Sequence, residues 1–541
     1  MKRCPECRRD YYDDTLLFCL DDGSALLEGP GGIHSTAAPS MGLEPATILI
    51  HSAAVTDDPV TLAMRAFRRD NASAIAVLPF ANMSRDEDAD YLSDGLAEEL
   101  LNVLSRIQGL RVAGRTSAFS FKGKQTTFAE IGQQLNVSSV LEGSVRMSGR
   151  RVRIAVQLVN TSDGYQLWSE TYDRTMDDIF AIQDDIASSV VEEVRSRLAV
   201  EKPDPDRNAN LAAEVAVAAQ GRAEDPEAHR LMLLGRHLAD RRTTEDMAKA
   251  IQYFEEALKI DPLNAQCWQE IGYAQSIRTG HGFVDYEVGY TAARSAIEKA
   301  LQLEPNLAGG HALLATLKLS WNRDFRGAEE PLRRALALEP DNAFVLSRAS
   351  YVLGLLGKID EPLDLARKLA ALDPLNSLAL QRLTGASYAA GKLDEAEMAA
   401  RRSIELSPQG VYTHALHAVV LAEKELFDDA RAEAAKEAAE IWKHWSAALV
   451  EIKAGRINHA HEFLDMIIQL DCEGFAFQIA EIYSAIGEID NAFEFLDVAV
   501  KSDPGISHIL ISSPLRPLHE DPRWEPLLSR IGIPQEYWRQ V

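Results

Sequence analysis

The 541-residue chain holds only five cysteines, and their placement does not suit a secreted disulfide framework. Three lie close together at the start (Cys4, Cys7, Cys19), while Cys267 and Cys472 stand alone. The chain also lacks any run near the ~20 apolar residues that a membrane-spanning helix needs. The nearest candidate, Ala46 to Val55, is short and contains His51. The start, Met-Lys-Arg-Cys-Pro, has no apolar signal core, so the expected location is cytoplasmic. Basic charge is scarce: 56 Lys and Arg stand against 82 Asp and Glu, for a formal net charge of −26. Such a surface repels phosphates, and nucleic acid is not an expected partner. The densest basic cluster, Lys2, Arg3, Arg8 and Arg9, sits among Glu6, Asp10, Asp13 and Asp14, which largely cancel it.

Catalytic motifs are missing as well. His459-Ala460-His461-Glu462 fails the spacing of a zinc-protease H-E-x-x-H helix. No G-x-S-x-G elbow and no dinucleotide fingerprint after a strand occur. Gly123-Lys124-Gln125-Thr126 has the tail of a phosphate loop, but Ala118 occupies the place of its first glycine. The expectation is a protein that is not an enzyme.

What is present divides into segments. Hydrophobic residues make up 46% and charged residues 26%, as in soluble globular proteins, and the length exceeds one core. In CPECRRDYYDDTLLFCLDDGSAL, Cys4 and Cys7 form a C-x2-C pair, and Cys19 and Asp22 follow in a Phe-Cys-x-x-Asp-Gly turn. Two thiolates on one tight turn suit a tetrahedral zinc ion, and a carboxylate can complete the set. This segment resembles a family of short bacterial zinc ribbons. Residues 1–29 are therefore expected to hold a structural zinc through Cys4, Cys7, Cys19 and Asp22. A piece this small also needs such a staple to fold. Residues 30–71, rich in Gly, Pro, Ser, Thr and Ala without periodicity, are expected to be a linker.

From residue 72 to 199 strands and helices alternate. Ala74 to Phe80 is a continuous apolar run, suited to a buried strand, and Leu96, Leu100, Leu101, Val103, Leu104 and Ile107 follow at helical spacing. Val152, Ile154, Val156 and Leu158 then alternate with polar or small residues behind a Ser148-Gly149-Arg150 turn, a hairpin signature. Asp177 to Leu198 reads as an amphipathic helix, with Ile179, Ile182, Ile186, Val190 and Val194 on one face. The fold class expected here is α/β with a mixed sheet. AIAVLPF, YLSDGLAEELLNVLSRIQGLRVAGRTSAFSFKGK, VLEGSVRMSGRRVRIAVQLVNTSDGYQLWSETYDR and DDIFAIQDDIA occur in that order. Together they resemble the TolB amino-terminal-like (FlgO-like) domain. That family fuses the domain to varied regulators and implies no catalytic residues.

After an expected linker at 200–225, residues 226–541 repeat. Pro262, Pro305, Pro340, Pro374 and Pro408 each follow an acidic or polar residue at spacings of 43, 35, 34 and 34, and Pro504 comes 96 further on. A period near 34 marks the tetratricopeptide repeat, a pair of helices per unit. Cys472, 32 before Pro504, falls in a matching slot. Twelve positions before the slots at 262, 305, 340, 408, 472 and 504 stand Ala250, Ala293, Ala328, Ala396, Ala460 and Ala492, small enough for helices to cross, with Pro362 before Pro374 the one break. The array resembles a tetratricopeptide solenoid with a C-terminal cap. Its concave groove is expected to take a protein or peptide partner, with Phe344, Ser347, Tyr351, Gln381, Tyr388, Phe477 and Glu481 facing it. The Lys and Asn clamp of chaperone-binding members of this family is absent from the matching positions. The expected function is a scaffold or adaptor. The alternative is a one-component signalling regulator, whose α/β domain senses a ligand and relays it to a transcription, kinase or cyclase partner. Oligomeric state stays open.

Overall fold

A computed structural model of the chain describes residues 74–538, apart from 85–89, 108, 150, 176–177, 199–206, 219–224, 240–242, 281–282 and 503, together with three two-residue strands near the N-terminus. The chain divides into two units, Met1–Thr56 and Asp57–Val541. In the first, β1 (Lys2–Arg3) pairs antiparallel with both β2 (Asp10–Tyr11) and β3 (Leu27–Glu28). The expected zinc ligands Cys4, Cys7, Cys19 and Asp22, and the expected linker 30–71, lie outside the described residues.

The second unit opens with the mixed sheet. Its strands are β4 (Ala74–Val77), β5 (Ala81–Asn82), β6 (Arg111–Val112), β7 (Ser139–Ser148), β8 (Arg151–Asn160) and β9 (Gln166–Thr175). The order is β6-β4-β7-β8-β9, with β5 also paired to β7. Strand β4 runs parallel to both of its neighbours and is buried along its whole length, as a strand covered on both faces must be. Strands β7, β8 and β9 form an antiparallel meander, turning between β7 and β8 at Gly149, whose φ of +59° favours glycine. The alternation in β8 puts Val152, Ile154, Val156 and Leu158 into the core beneath the helices Asp90–Ser105 and Ile179–Leu198. On the other face, the helix Phe128–Leu135 covers Ala74, Ala76 and Val140. It starts in a capping box, in which the Thr127 hydroxyl accepts from the Glu130 amide and the Glu130 carboxylate accepts from the Thr127 amide.

One expectation needs correction. The stretch 200–225 is not linker throughout, because it contains the helix Arg207–Ala218. Its alanine-rich run favours helix, and it gains stability by placing Val215 and Ala218 in the α/β core. Arg106 Nη1 donates to the Ala218 carbonyl at 2.8 Å.

Consecutive helix pairs follow, from Pro226–Ala239 with Thr244–Ile260 to Ala476–Ile486 with Ile489–Ser502. The repeat register read from the sequence places its small residues at the crossings: Ala250, Ala293, Ala328, Ala396, Ala460 and Ala492 are each fully buried. Four positions further along the same helices, Phe254, Ile297, Leu332, Leu464 and Leu496 are buried beside them. The residues before the proline slots, Asp261, Glu304, Glu339, Asp373 and Ser407, are the C-caps of the second helices. Where the sequence repeat fades, the sixth pair is Thr413–Glu423 with a second helix of only 8 residues, Phe427–Ala434. Here a polar contact joins the helices, with His414 Nδ1 and Glu433 Oε1 2.6 Å apart.

Replacing Ala328 or Ala396 with Leu is expected to cost roughly 1 to 3 kcal/mol by overpacking a fully buried crossing. Urea titrations of the two variants against wild type measure it.

Candidate functional site

The array does not leave its inner face open. After the last helix pair, the chain turns through two short helical segments, Pro504–His508 and Ser513–Leu518, which bury Ile506, Ile509, Leu510, Leu515 and Leu518. These share one core with residues of the third and fourth pairs, including Ala315, Leu319, Ala349 and Val352. Polar contacts fix the same closure. Arg323 Nη1 donates to the Val500 carbonyl at 2.6 Å, Arg326 pairs with Glu536 at 2.9 Å, and the Tyr537 hydroxyl donates to Glu329 at 3.0 Å.

The seven expected groove residues divide accordingly. Phe344 is half-buried, edge-on to Tyr273 at 5.5 Å between centroids, and Ser347 beside it is half-buried too. Tyr351 is half-buried under the Arg382 guanidinium, 4.3 Å from the ring centroid, with the His508 ring 6.0 Å away. Gln381 Nε2 donates to the Val411 carbonyl and to the Thr413 hydroxyl, both at 3.0 Å, so it ties two helix pairs together. The Tyr388 hydroxyl donates to Glu423 at 3.3 Å; burial, reinforced by the Glu423 charge, pushes its pKa up. Phe477 and Glu481 are not groove residues. Phe477 lies in the shared core, and Glu481 is buried while accepting from Trp445 Nε1 at 2.8 Å and from the Ser512 hydroxyl at 2.7 Å. The register placed them on the inner face, and the returning C-terminal segment covers that face.

A second concave region lies where the α/β domain meets the array. The helix Asp90–Ser105 packs on Pro226–Ala239 through Gly95, where a Cβ would come within 2.5 Å of the Leu233 side chain. Arg236 joins the buried Glu99 and lies 3.1 Å from Glu270. Burial, the largest single influence, pushes the Glu99 pKa up, but the charges of Arg236, His229 and Arg106 together with the Arg236 hydrogen bond outweigh it, and the net shift is downward. Further along, Gly114 N–H donates to the Leu372 carbonyl at 2.7 Å and Ser117 N–H to Asp373 at 2.8 Å, and Arg106 pairs with Glu339 at 3.0 Å. These contacts border a cleft of about 280 Å³. Its charged side chains are already matched, Arg115 included, which lies 2.9 Å from Glu98. The cleft has the chemistry of an interface. Among the described residues no group of three His, Cys, Asp or Glu is placed to hold a metal ion, and no helix is long and apolar enough to cross a membrane.

The residues that sequence reasoning missed are Glu99, Arg236 and Asp373 at this interface, and Arg348 and Arg382 in the array. Arg348 and Arg382 carried a signal: they stand one repeat apart, each directly after an expected groove position, Ser347 and Gln381. No periodicity marks the other three, because their partners come from distant parts of the chain.

His508 gives the closure a pH dependence. Burial lowers its pKa to about 4, Arg382 adds to the depression, and the Gly505 carbonyl, 3.2 Å from Nδ1, opposes it. Tyr351 and the Ser507 hydroxyl are its other neighbours. A histidine whose folded pKa lies below its unfolded value of about 6.5 leaves stability intact above that pH. Stability is then lost as pH falls from about 6.5 toward 4. With the ring partly exposed, the loss is expected to be on the order of 1–2 kcal/mol. Carboxylates titrate in the same range. The measurable quantity is therefore the difference between wild type and His508→Phe in thermal melts from pH 7 to 4, which should shrink the pH slope.

Comparison with known proteins bears on two segments. Residues 71–189 match the family model of the second domain of HilA/YgeH-like transcriptional regulators, and residues 242–262 match the tetratricopeptide repeat. A curated relative, putative adenylate cyclase 3 of Rhizobium meliloti (strain 1021), is 32% identical over 259 residues, which is 47% of this chain and 42% of that protein. The chain thus spans well under half the length of that relative. Among solved structures, the array is similar to Pseudomonas aeruginosa pilF (18% identity, 41% of this chain and 98% of that one, TM-score 0.32). The chain is also similar to yeast Tom70 (16% identity, 65% of this chain and 82% of that one, TM-score 0.34). The chain is a mixed-sheet domain followed by a large tetratricopeptide-like helical solenoid.

Proposed function

We propose that this protein is a non-catalytic scaffold or adaptor, which takes a protein or peptide partner on its helical array. The observation that carries this reading is the array itself: stacked helix pairs in tetratricopeptide register, each burying one face against the next. Of the expected groove residues, Phe344, Ser347, Tyr351, Gln381 and Tyr388 stay half-buried. Cross-linking of the full chain to its captured partner, followed by mass spectrometry, tests it. Cross-links on helices 343–355 and 377–389, lost in Ser347→Arg, support the reading; a partner held only on the α/β domain overturns it. The full chain is required, because repeats alone would expose Leu233 and leave Arg236 without Glu99.

The alternative reading, a signalling regulator whose α/β domain senses a ligand, draws on two observations. Residues 71–189 match a transcriptional-regulator domain, and part of the chain is similar to a putative adenylate cyclase. The TolB amino-terminal-like resemblance belongs to this reading too, since that family joins such domains to regulators. Formation of cyclic AMP from ATP by the purified chain would remove the non-catalytic assignment.

The N-terminal segment 1–29 is proposed to bind one structural zinc ion through Cys4, Cys7, Cys19 and Asp22. Elemental analysis of protein purified under reducing conditions without chelator should find about one zinc per chain. Cys7→Ala should lower occupancy more than Asp22→Ala, because thiolates bind this borderline-soft ion more strongly than a carboxylate.

A further inference from the structure

Inside the curve of the array, a cavity of about 190 Å³ is walled by first helices of successive pairs and by Tyr290. Arg348 and Arg382 both line it, one repeat apart, with Tyr273, Thr316 and Tyr351. In a chain with 26 more acidic than basic residues, an arginine ordinarily finds a carboxylate, and the neighbouring helices show it: Arg333 meets Glu361 and Arg367 meets Glu395. Among the described residues, neither Arg348 nor Arg382 has such a partner, and Arg382 Nε is buried without a hydrogen bond. What surrounds them is aromatic. Arg382 lies over Tyr351 at 4.3 Å, and Arg348 faces Phe344 at 5.3 Å and Tyr273 at 5.6 Å.

Two guanidinium groups facing one cavity repel each other, and removing them from water is unfavourable unless something of opposite charge arrives. Stacking on tyrosine offsets only part of this. Burial and the Arg348 charge both act against the protonated form of Arg382. The planar fork of arginine matches a carboxylate or phosphate with two parallel hydrogen bonds, and the rings hold each fork in place while leaving its N–H edge free. Tyr273 and Tyr290 line the same cavity, and a tyrosine hydroxyl can donate to a bound oxygen. The volume is below that of a typical drug-sized pocket, so the occupant is small.

We propose that this cavity binds a small oxyanion, a phosphate or carboxylate carried by a small molecule, between Arg348 and Arg382. The site goes beyond the scaffold reading and stands independently of it, because it needs no partner protein.

The test is a set of thermal melts and calorimetric titrations on the full chain at constant ionic strength, with sodium chloride exchanged for sodium phosphate in one arm and sodium succinate in the other. Wild type should gain in Tm with rising anion in at least one arm, and the arm that responds identifies the ligand chemistry. Arg382→Gln should melt no lower than wild type in chloride, since it removes an unmatched buried charge, and should bind the responding anion at least tenfold more weakly. Arg382→Lys, which keeps the charge but loses the fork, serves as the second variant if the first does not fold, and should also bind at least tenfold more weakly. Arg294→Gln, at an exposed site, should respond like wild type. The proposal is overturned if wild type responds to neither anion. It is equally overturned if the Arg382 variants respond as strongly as wild type.

Discussion

Glu99→Ala is expected to be among the most damaging single substitutions in the α/β domain, at about 3 kcal/mol. Removing one member of a buried ion pair typically costs about 3–5 kcal/mol, because the remaining charge stays buried without its counterpart. Arg236 would keep Glu270 at 3.1 Å and the Gln266 side-chain Oε1 at 3.4 Å, which puts the loss near the low end of that range. Replacing both partners with apolar residues, Glu99→Leu with Arg236→Met, should cost less than Glu99→Ala, because the desolvation of two charges disappears together with their attraction, with a residual cost from Glu270, which loses Arg236. The Glu99 pKa is lowered on folding, so the contribution of the pair is present above the unfolded carboxylate pKa and is lost as pH falls below it. Urea denaturation of wild type, Glu99→Ala and the double variant decides the matter. A Glu99→Ala protein as stable as wild type would mean that the two domains are not joined through this contact.

Phe477→Ala is expected to cost about 3–5 kcal/mol, the usual range for truncating a buried Phe. An open groove residue would cost far less and would affect binding instead. Phe477 is only 2% exposed, in the core that joins the last helix pair to Ile506, Ile509, Leu510 and Leu515. In an open solenoid the damage would stay near the mutated pair. Here the last pair also touches the third, through Arg323 and the Val500 carbonyl. Hydrogen exchange should therefore show lost protection in residues 308–338 as well as 476–518. Wild-type melting, or loss confined to the last pair, would contradict the closure.

Much of the fold was legible because it depends on local rules. The repeat period located the crossings, and alanine at them was needed whatever the neighbouring pair contained. Alternation in β8 and the uninterrupted apolar run of β4 separated a strand covered on one face from one buried on both. The register failed at Phe477 and Glu481. Their own helix follows the repeat, but the later stretch from Pro504 to Leu518 lies over them. The helix Arg207–Ala218 was missed for a related reason: in isolation its short apolar stripe is a weak signal, and it counts only when the α/β core receives Val215 and Ala218.

By itself the sequence determined the mixed sheet, the helix-pair array and the packing of each pair, since these follow from periodicities of two, 3.6 and about 34 residues that neighbouring side chains enforce. Only the tertiary structure decided which charges are matched and which are not. Glu99 reaches Arg236 across 137 residues, while Arg348 and Arg382 face the same cavity with no carboxylate among the described residues. Ion pairs between distant segments follow from how the curved array brings its ends together. That curvature is a sum of small rotations at every packed interface, which no local pattern of residues records.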